Sequence, residues 1–170
     1  MDADEEALIM SRETETDSLL DTEALDAPLS ELCSGPAETM DISGTVEDAV
    51  RVMRALRIGS VLITSGGRLV GIVTERDLLF RETGPLEDVA ARSVSDFMTP
   101  DPETLRLDDP VLYVMNKMHV GGFRHVPIVN AAGVPLHVIS IKDVMAYLLE
   151  HFESRVANLP VEPFRGVSRL

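Results

Sequence analysis

The chain has 170 residues, 45% of them apolar, 4% aromatic and none Trp, so any core must be built from Val, Leu, Ile, Met and Ala. The formal charge is −14: residues 1–26 hold ten acids against one base, Arg12, and the rest carries 19 acids and 14 bases with no basic stripe, a field that excludes a nucleic-acid partner. The single cysteine, Cys33, rules out an intrachain disulfide, no apolar run approaches the ~20 residues of a membrane span, and an acidic start is unlike a secretory signal, so a cytoplasmic location is expected.

Residues 1–28 read as an acidic arm with too few apolar residues to fold alone, although Leu19, Leu20 and Leu25 are spaced for a short helix that docks on a lobe. The first unit, 29–82, opens with a short strand. Val46, Ala49, Val50 and Met53 then follow the i, i+3, i+4, i+7 rule of an amphipathic helix, with Thr45 and Asp48 as its capping box. A β-branched run, Ser60–Thr64, a Ser65-Gly66-Gly67-Arg68 turn and a second apolar run, Leu69–Val73, make a hairpin, and a second helix opens at Thr74.

Residues 83–93, rich in Gly, Pro and small side chains, read as a connection to a second unit, 94–153. There Val111, Val114, Met115 and Met118 repeat the helical face, and Asp109-Pro110 reads as its N-cap and N1 pair. His125–Val129, an Asn130-Ala131-Ala132-Gly133 turn and Leu136–Ile139 form a hairpin, and a longer helix starts at Ser140 with Val144, Met145, Leu148, Leu149 and Phe152 on one side. A tail, 154–170, contains Pro160 and Pro163.

The two units are one repeat. A shift of 65 residues places Ser30, Glu38, Thr39, Val46, Met53, Val61 and Ile63 on Ser95, Glu103, Thr104, Val111, Met118, Val126 and Ile128, and one inserted residue near Gly133 then aligns Thr74 with Ser140 and Asp77 with Asp143. One unit of about 60 residues is marginal alone, so the expected fold is α+β: two tandem βαββα units packed around a pseudo-twofold axis.

Gly71-Ile72-Val73-Thr74-Glu75-Arg76-Asp77 and His137-Val138-Ile139-Ser140-Ile141-Lys142-Asp143 each stand where a strand meets a helix. The first resembles the G-h-x-[ST]-x-x-D signature of the CBS repeat, named after cystathionine β-synthase; the second matches it except that His137 replaces the glycine. The resemblance spans about residues 29–153 and implies a two-repeat Bateman module, a non-catalytic sensor of AMP, ADP, ATP or related adenosyl compounds that pairs into flat homodimers and acts on a regulated protein.

By that resemblance Asp143 and Asp77 accept the two hydroxyls of a ribose, and Ser140 and Thr74 face ribose or phosphate. The same pairs are spaced as ordinary capping boxes, and both roles can hold at once. Arg124 and His125 stand where relatives carry phosphate-holding basic residues; an Arg beside a strand is also commonly a solvated edge residue. Ser140 and Asp143 would share a cleft with Thr39, Ile58, Gly59 and Ser60, and Thr74 and Asp77 would share theirs with Thr104 and Phe123. The Asp143 cleft would be the better nucleotide site, since Gly59 and Ser60 supply no cation at the place of Arg124 and His125.

No Walker loop, G-x-S-x-G elbow or set of His and Cys at metal-ligand spacing is present, so neither a required cofactor nor a metal is expected, and no enzyme. The competing reading is a nucleotide-independent dimerisation or adaptor protein. Leu78, Leu79, Val144 and Leu148 on the second helices are the residues expected to need cover from a second copy.

Overall fold

The computed structural model of the chain describes residues 23–80 and 86–151. Leu19, Leu20 and the rest of 1–22, the segment 81–85, Phe152 and the tail lie outside the described residues. In chain order the strands are β1 (Thr39–Asp41), β2 (Ser60–Ser65), β3 (Arg68–Thr74), β4 (Thr99–Pro100), β5 (His125–Val129) and β6 (Pro135–Ser140). The helices are α1 (Val46–Leu56), α2 (Glu75–Phe80), α3 (Leu86–Ala90), α4 (Val111–Gly121) and α5 (Ile141–His151).

The expected α+β pair of repeats is present. Val61 on β2 pairs with Val73 on β3, and Val126 on β5 pairs with Ile139 on β6, so the two valines occupy equivalent strands. Both hairpins carry a register shift at the same repeat position, between Ile63 and Thr64 and between Ile128 and Val129. The Gly66-Gly67 turn has positive φ at both glycines (58° and 79°), which suits a two-residue hairpin. The second turn is longer and is tied by Asn130, whose Oδ1 accepts from the Ala132 and Val134 N–H groups. That longer turn accommodates the inserted residue.

Helix faces follow the apolar period. Val46, Ala49 and Met53 of α1, and Val111, Val114 and Met118 of α4, are all buried. Thr45 caps α1 in a reciprocal box with Asp48, but α4 departs from expectation. Pro110 itself is the N-cap and carries no side-chain bond, while Asp109 turns back and accepts from the Arg106 N–H at 2.8 Å. Proline tolerates this place because the first helical turn needs no intrahelical donor there.

The interface between repeats is an exchange. The opening residues of each repeat, with those just before them, pack into the other repeat: the Leu29 N–H donates to the Asp109 carbonyl and Val94 N–H to Gly44, while Val111 N–H donates to Ala27 and Val46 N–H to Arg92. These four bonds are two pairs related by the 65-residue shift. Leu29 and Leu32, together with Ala24, join the core of Val114, Val126, Ile128 and Val144, and Val94 joins the core of Ala49, Val61, Ile63 and Val73. Val89 of α3 and Phe97 cover Val46 in the same way. The exchange extends to the sheets, where β4 pairs with β3 through Gly71–Pro100 and Ile72–Thr99, and the Ala37 N–H donates to Leu136 on β6. Residues 23–28, placed in the acidic arm by composition, are therefore held: Ala24 is buried, and the Tyr147 hydroxyl donates to its carbonyl at 2.9 Å.

The second helices differ from expectation in which side chains they expose. Val144 is buried and Leu78 and Leu148 pack against the cores, leaving only Leu79 of the four uncovered. The uncovered stripe of α5 is Ile141, Met145 and Leu149 instead. Among the described residues no helix is long and apolar enough to cross a membrane.

Because Leu29 is fully buried in the opposite repeat's core, Leu29→Ala should lower unfolding stability by about 2–5 kcal/mol in urea titration. A loss under about 1 kcal/mol would mean that the exchanged segment contributes little to the native core.

Candidate functional site

Each repeat presents one hydroxyl and one carboxylate at the junction of its hairpin with its second helix. Thr74 sends both its N–H and its hydroxyl to Asp77 Oδ2, at 2.9 and 2.6 Å, and the Asp77 N–H returns to the Thr74 hydroxyl at 3.3 Å. Ser140 and Asp143 do the same at 2.7, 2.7 and 3.4 Å. Both pairs are thus true capping boxes, and one oxygen of each carboxylate is committed to the backbone. The second oxygens differ. Asp77 Oδ1 also accepts from the Thr99 hydroxyl at 3.4 Å, whereas among the described residues Asp143 Oδ1 takes no such bond.

Two cavities flank these junctions, each closed by the other repeat. One, of about 430 Å³, runs from Ile72, Thr74 and Asp77 to Thr99, Pro102 and Phe123. The other, of about 370 Å³, runs from Val138, Ser140 and Asp143 to Ala37, Ile58 and Ser60. The cross-repeat grouping read from the sequence is therefore reproduced for Ile58, Gly59, Ser60 and Phe123. Thr39 and Thr104 are not among the lining residues; their neighbours Glu38 and Glu103 are, because Thr39 lies within β1 and Thr104 adjoins the Leu105 bridge to Ile128.

Arg124 and His125 line both cavities, as do Gly59 and Glu75. They stand near the pseudo-twofold axis rather than in one cleft. A Cβ built on Gly59 would come within 3.3 Å of His125 Nε2, so the glycine leaves room for the ring of the partner repeat. Burial pushes the half-buried His125 imidazole below its ordinary 6.5; Arg124 adds to this, and Glu75 and Asp143 oppose it.

Glu75, Glu38, Arg57, Asp101 and Glu103 line the cavities without having been singled out by motif. Arg57 had a legible signal: it aligns with Gly122, and both adopt left-handed backbone, with φ 56° and 68°. Lys142 lines the Asp143 cavity. Arg76 lines the Asp77 cavity and donates to the Gly122 carbonyl across it at 3.3 Å. His137, in place of the motif glycine, donates from Nδ1 to the Gly35 carbonyl. Its counterpart Gly71 lies against Met98, whose own repeat-mate is the smaller Cys33, so the larger residue of each pair has changed sides. Cys33 packs at the core edge, its thiol raised by burial and by Asp143 and donating to the Leu29 carbonyl.

The lowered proton affinity of His125 has a pH consequence. The unfolded chain binds a proton that the folded chain resists, so its contribution is fully present above the unfolded pKa and is lost as pH falls through the lowered folded value. Resistance to urea should therefore fall as pH drops below about 6.5, and His125→Gln should flatten that slope. An unchanged slope in the variant would exclude His125 as its source.

The CBS domain profile matches residues 29–84 and 94–150. The chain is 36% identical over 120 residues to a CBS domain-containing protein of Arabidopsis thaliana, covering 69% of this chain and 22% of that protein. An uncharacterised 17.7 kDa protein of Acidianus ambivalens is 34% identical over 123 residues, 72% of this chain and 73% of its own length. A CBS domain protein of Pyrobaculum aerophilum, solved complexed with AMP, superposes with a TM-score of 0.64 at 27% identity, covering 75% of this chain and 99% of that one. With two profile matches at the repeat spacing and the exchanged architecture of a CBS pair, the chain belongs to the CBS domain family as a tandem pair of repeats.

Proposed function

We propose that this chain is a regulatory module that binds an adenine nucleotide in the clefts between its repeats and passes occupancy to a partner protein through a conformational or dimer change. The observation that carries the reading is the uncommitted Asp143 Oδ1 at a cavity shared with Arg124, Arg57 and Lys142. A carboxylate oxygen accepts ribose hydroxyls, and guanidinium and ammonium groups balance phosphate in a chain of net charge −14. The AMP complex of the Pyrobaculum protein supports the ligand class. The role is one of binding rather than catalysis, in a cytoplasmic setting.

A thermal-shift panel of AMP, ADP and ATP tests this reading, since a ligand at ~100 times its Kd adds about 2.7 kcal/mol of stability. Asp143→Asn retains a capping oxygen but loses the charge. It should weaken adenosine, AMP and ATP by a similar factor of about ten, measured by calorimetry. No response to any of the three in the wild type would favour the nucleotide-independent adaptor reading.

Self-association belongs to the same proposal. Ile141, Met145 and Leu149 lie four residues apart on α5, and Leu112, Tyr113 and Val120 are exposed on α4. Such faces are commonly covered by a second surface, here a second copy of the chain. Light scattering at tens of micromolar should give the mass of a homodimer, and Met145→Lys with Leu149→Lys should return a monomer. A monomer mass for the wild type at that concentration would remove the dimer from the proposal.

A further inference from the structure

The two clefts are walled by equivalent stretches of chain that are anchored in different ways. The stretch 99–103 walls the Asp77 cleft and the stretch 34–38 walls the Asp143 cleft, each laid against the second hairpin strand of the other repeat. The first wall is held by backbone. β4 pairs with β3 through Gly71–Pro100 and Ile72–Thr99, and the Asp101 N–H extends this contact by donating to the Val70 carbonyl at 3.2 Å. Gly71 allows the close approach, since a Cβ there would overlap the Met98 side chain.

On the second wall the strand pairing is missing, because β6 pairs with β5 alone among the described residues. The residue in the place of Asp101 is Pro36, which has no N–H to donate. Leu136, in the place of Val70, accepts from Ala37 instead, one residue further along, at 2.8 Å. A side chain makes up the missing contact: His137, in the place of Gly71, donates from Nδ1 to the Gly35 carbonyl, 102 residues away in sequence. A carbonyl oxygen only accepts, so Nδ1 carries the proton. Ser34, Gly35 and Pro36 are exposed, and no group beyond the chain neighbours lies within 4 Å of where a Gly35 Cβ would stand. Hydrogen bonds rather than packing therefore tie the wall at this point.

We infer that His137 is a positioning residue for the Asp143 cleft: its imidazole stands in for the backbone donor that Pro36 cannot supply and holds residues 34–37 against β6 as a wall of the cavity. The two repeats compensate in opposite senses. Where the wall has its own N–H, at Asp101, the facing strand carries a glycine; where the wall lacks one, at Pro36, the facing strand carries a donor side chain. The role in ligand binding rests on the nucleotide reading above, and it adds a residue outside the cavity lining on which the shape of that cleft depends.

Hydrogen–deuterium exchange of the ligand-free chain reads the tie directly. His137→Ala should speed exchange of the Ala37 amide about three- to tenfold, the effect of one exposed hydrogen bond, and leave the Asp101 amide of the other wall unmoved. Calorimetric titration with ATP reads the consequence for binding. In an Asp77→Asn chain, which leaves the Asp143 cleft as the intact one, His137→Ala should weaken ATP by a similar factor. His137→Asn should restore both readouts, because its amide nitrogen stands the same number of bonds from the backbone as Nδ1. Wild-type exchange at Ala37 in His137→Ala, unchanged ATP affinity, or a loss of affinity that His137→Asn does not recover would each overturn the role of His137 while leaving the nucleotide reading intact. Absence of ATP binding by the wild-type chain would overturn the two together.

Discussion

The exchange of the opening segments of the two repeats is the constraint on which the rest of the molecule depends. Leu29 completes the core built on Val126 and Ile128, and Val94 completes the one built on Val61 and Ile63, so neither repeat closes its core from its own residues. Four backbone hydrogen bonds in symmetric pairs fix the exchanged stretches against the starts of α1 and α4. Burial of the aliphatic side chains drives the association, and the bonds set its register.

That register places the clefts. Because residues 34–38 leave the second repeat's core and enter the first repeat, they run past the start of α5, and residues 99–103 run past the start of α2 for the same reason. A Ser or Thr with an Asp three residues on serves first as a helix cap, a local necessity of ending a strand and starting a helix. The exchange brings the opposite repeat over that cap and turns it into one wall of a cavity. The cleft geometry is thus a by-product of the way the two cores are completed.

Much of this was legible in the sequence because it is periodic. The faces of α1 and α4 obey the 3.6-residue rule, the hairpins alternate strand and turn, and the caps at Thr74 and Ser140 lie at matched offsets. The exchange itself was not legible, since Ala24 and Val89 share only apolar character and 23–28 are embedded in an acidic stretch whose composition hides them. Thr39 and Thr104 matched across repeats for a reason other than the cleft: they stand in or beside the first strands, and strand position is conserved in the repeat whatever lines the cavity. The cap expected at Asp109 falls one residue later, at Pro110, because Asp-Pro reads equally well as a helix start and as the end of the preceding turn.

Symmetry and its breaking carry different information in such a molecule. Positions that agree between repeats, such as Val46 with Val111 or Val61 with Val126, report packing that either half requires, and their agreement says little about ligands. Positions that disagree at equivalent, solvent-facing places report what each cleft has become. Gly59 against Arg124, Arg57 against Gly122 and Pro36 against Asp101 are such places, and each lines a cavity. Arg57 and Asp101 are the two non-glycine residues with positive φ among those described, at 56° and 43°. Left-handed backbone at a β-carbon residue costs on the order of 1 kcal/mol or more, and here both instances bring a charge to the edge of a cleft, one positive and one negative, on opposite sides of the axis. The core thus keeps the twofold symmetry that folding needs, while its two strained departures stand at the edges of the clefts.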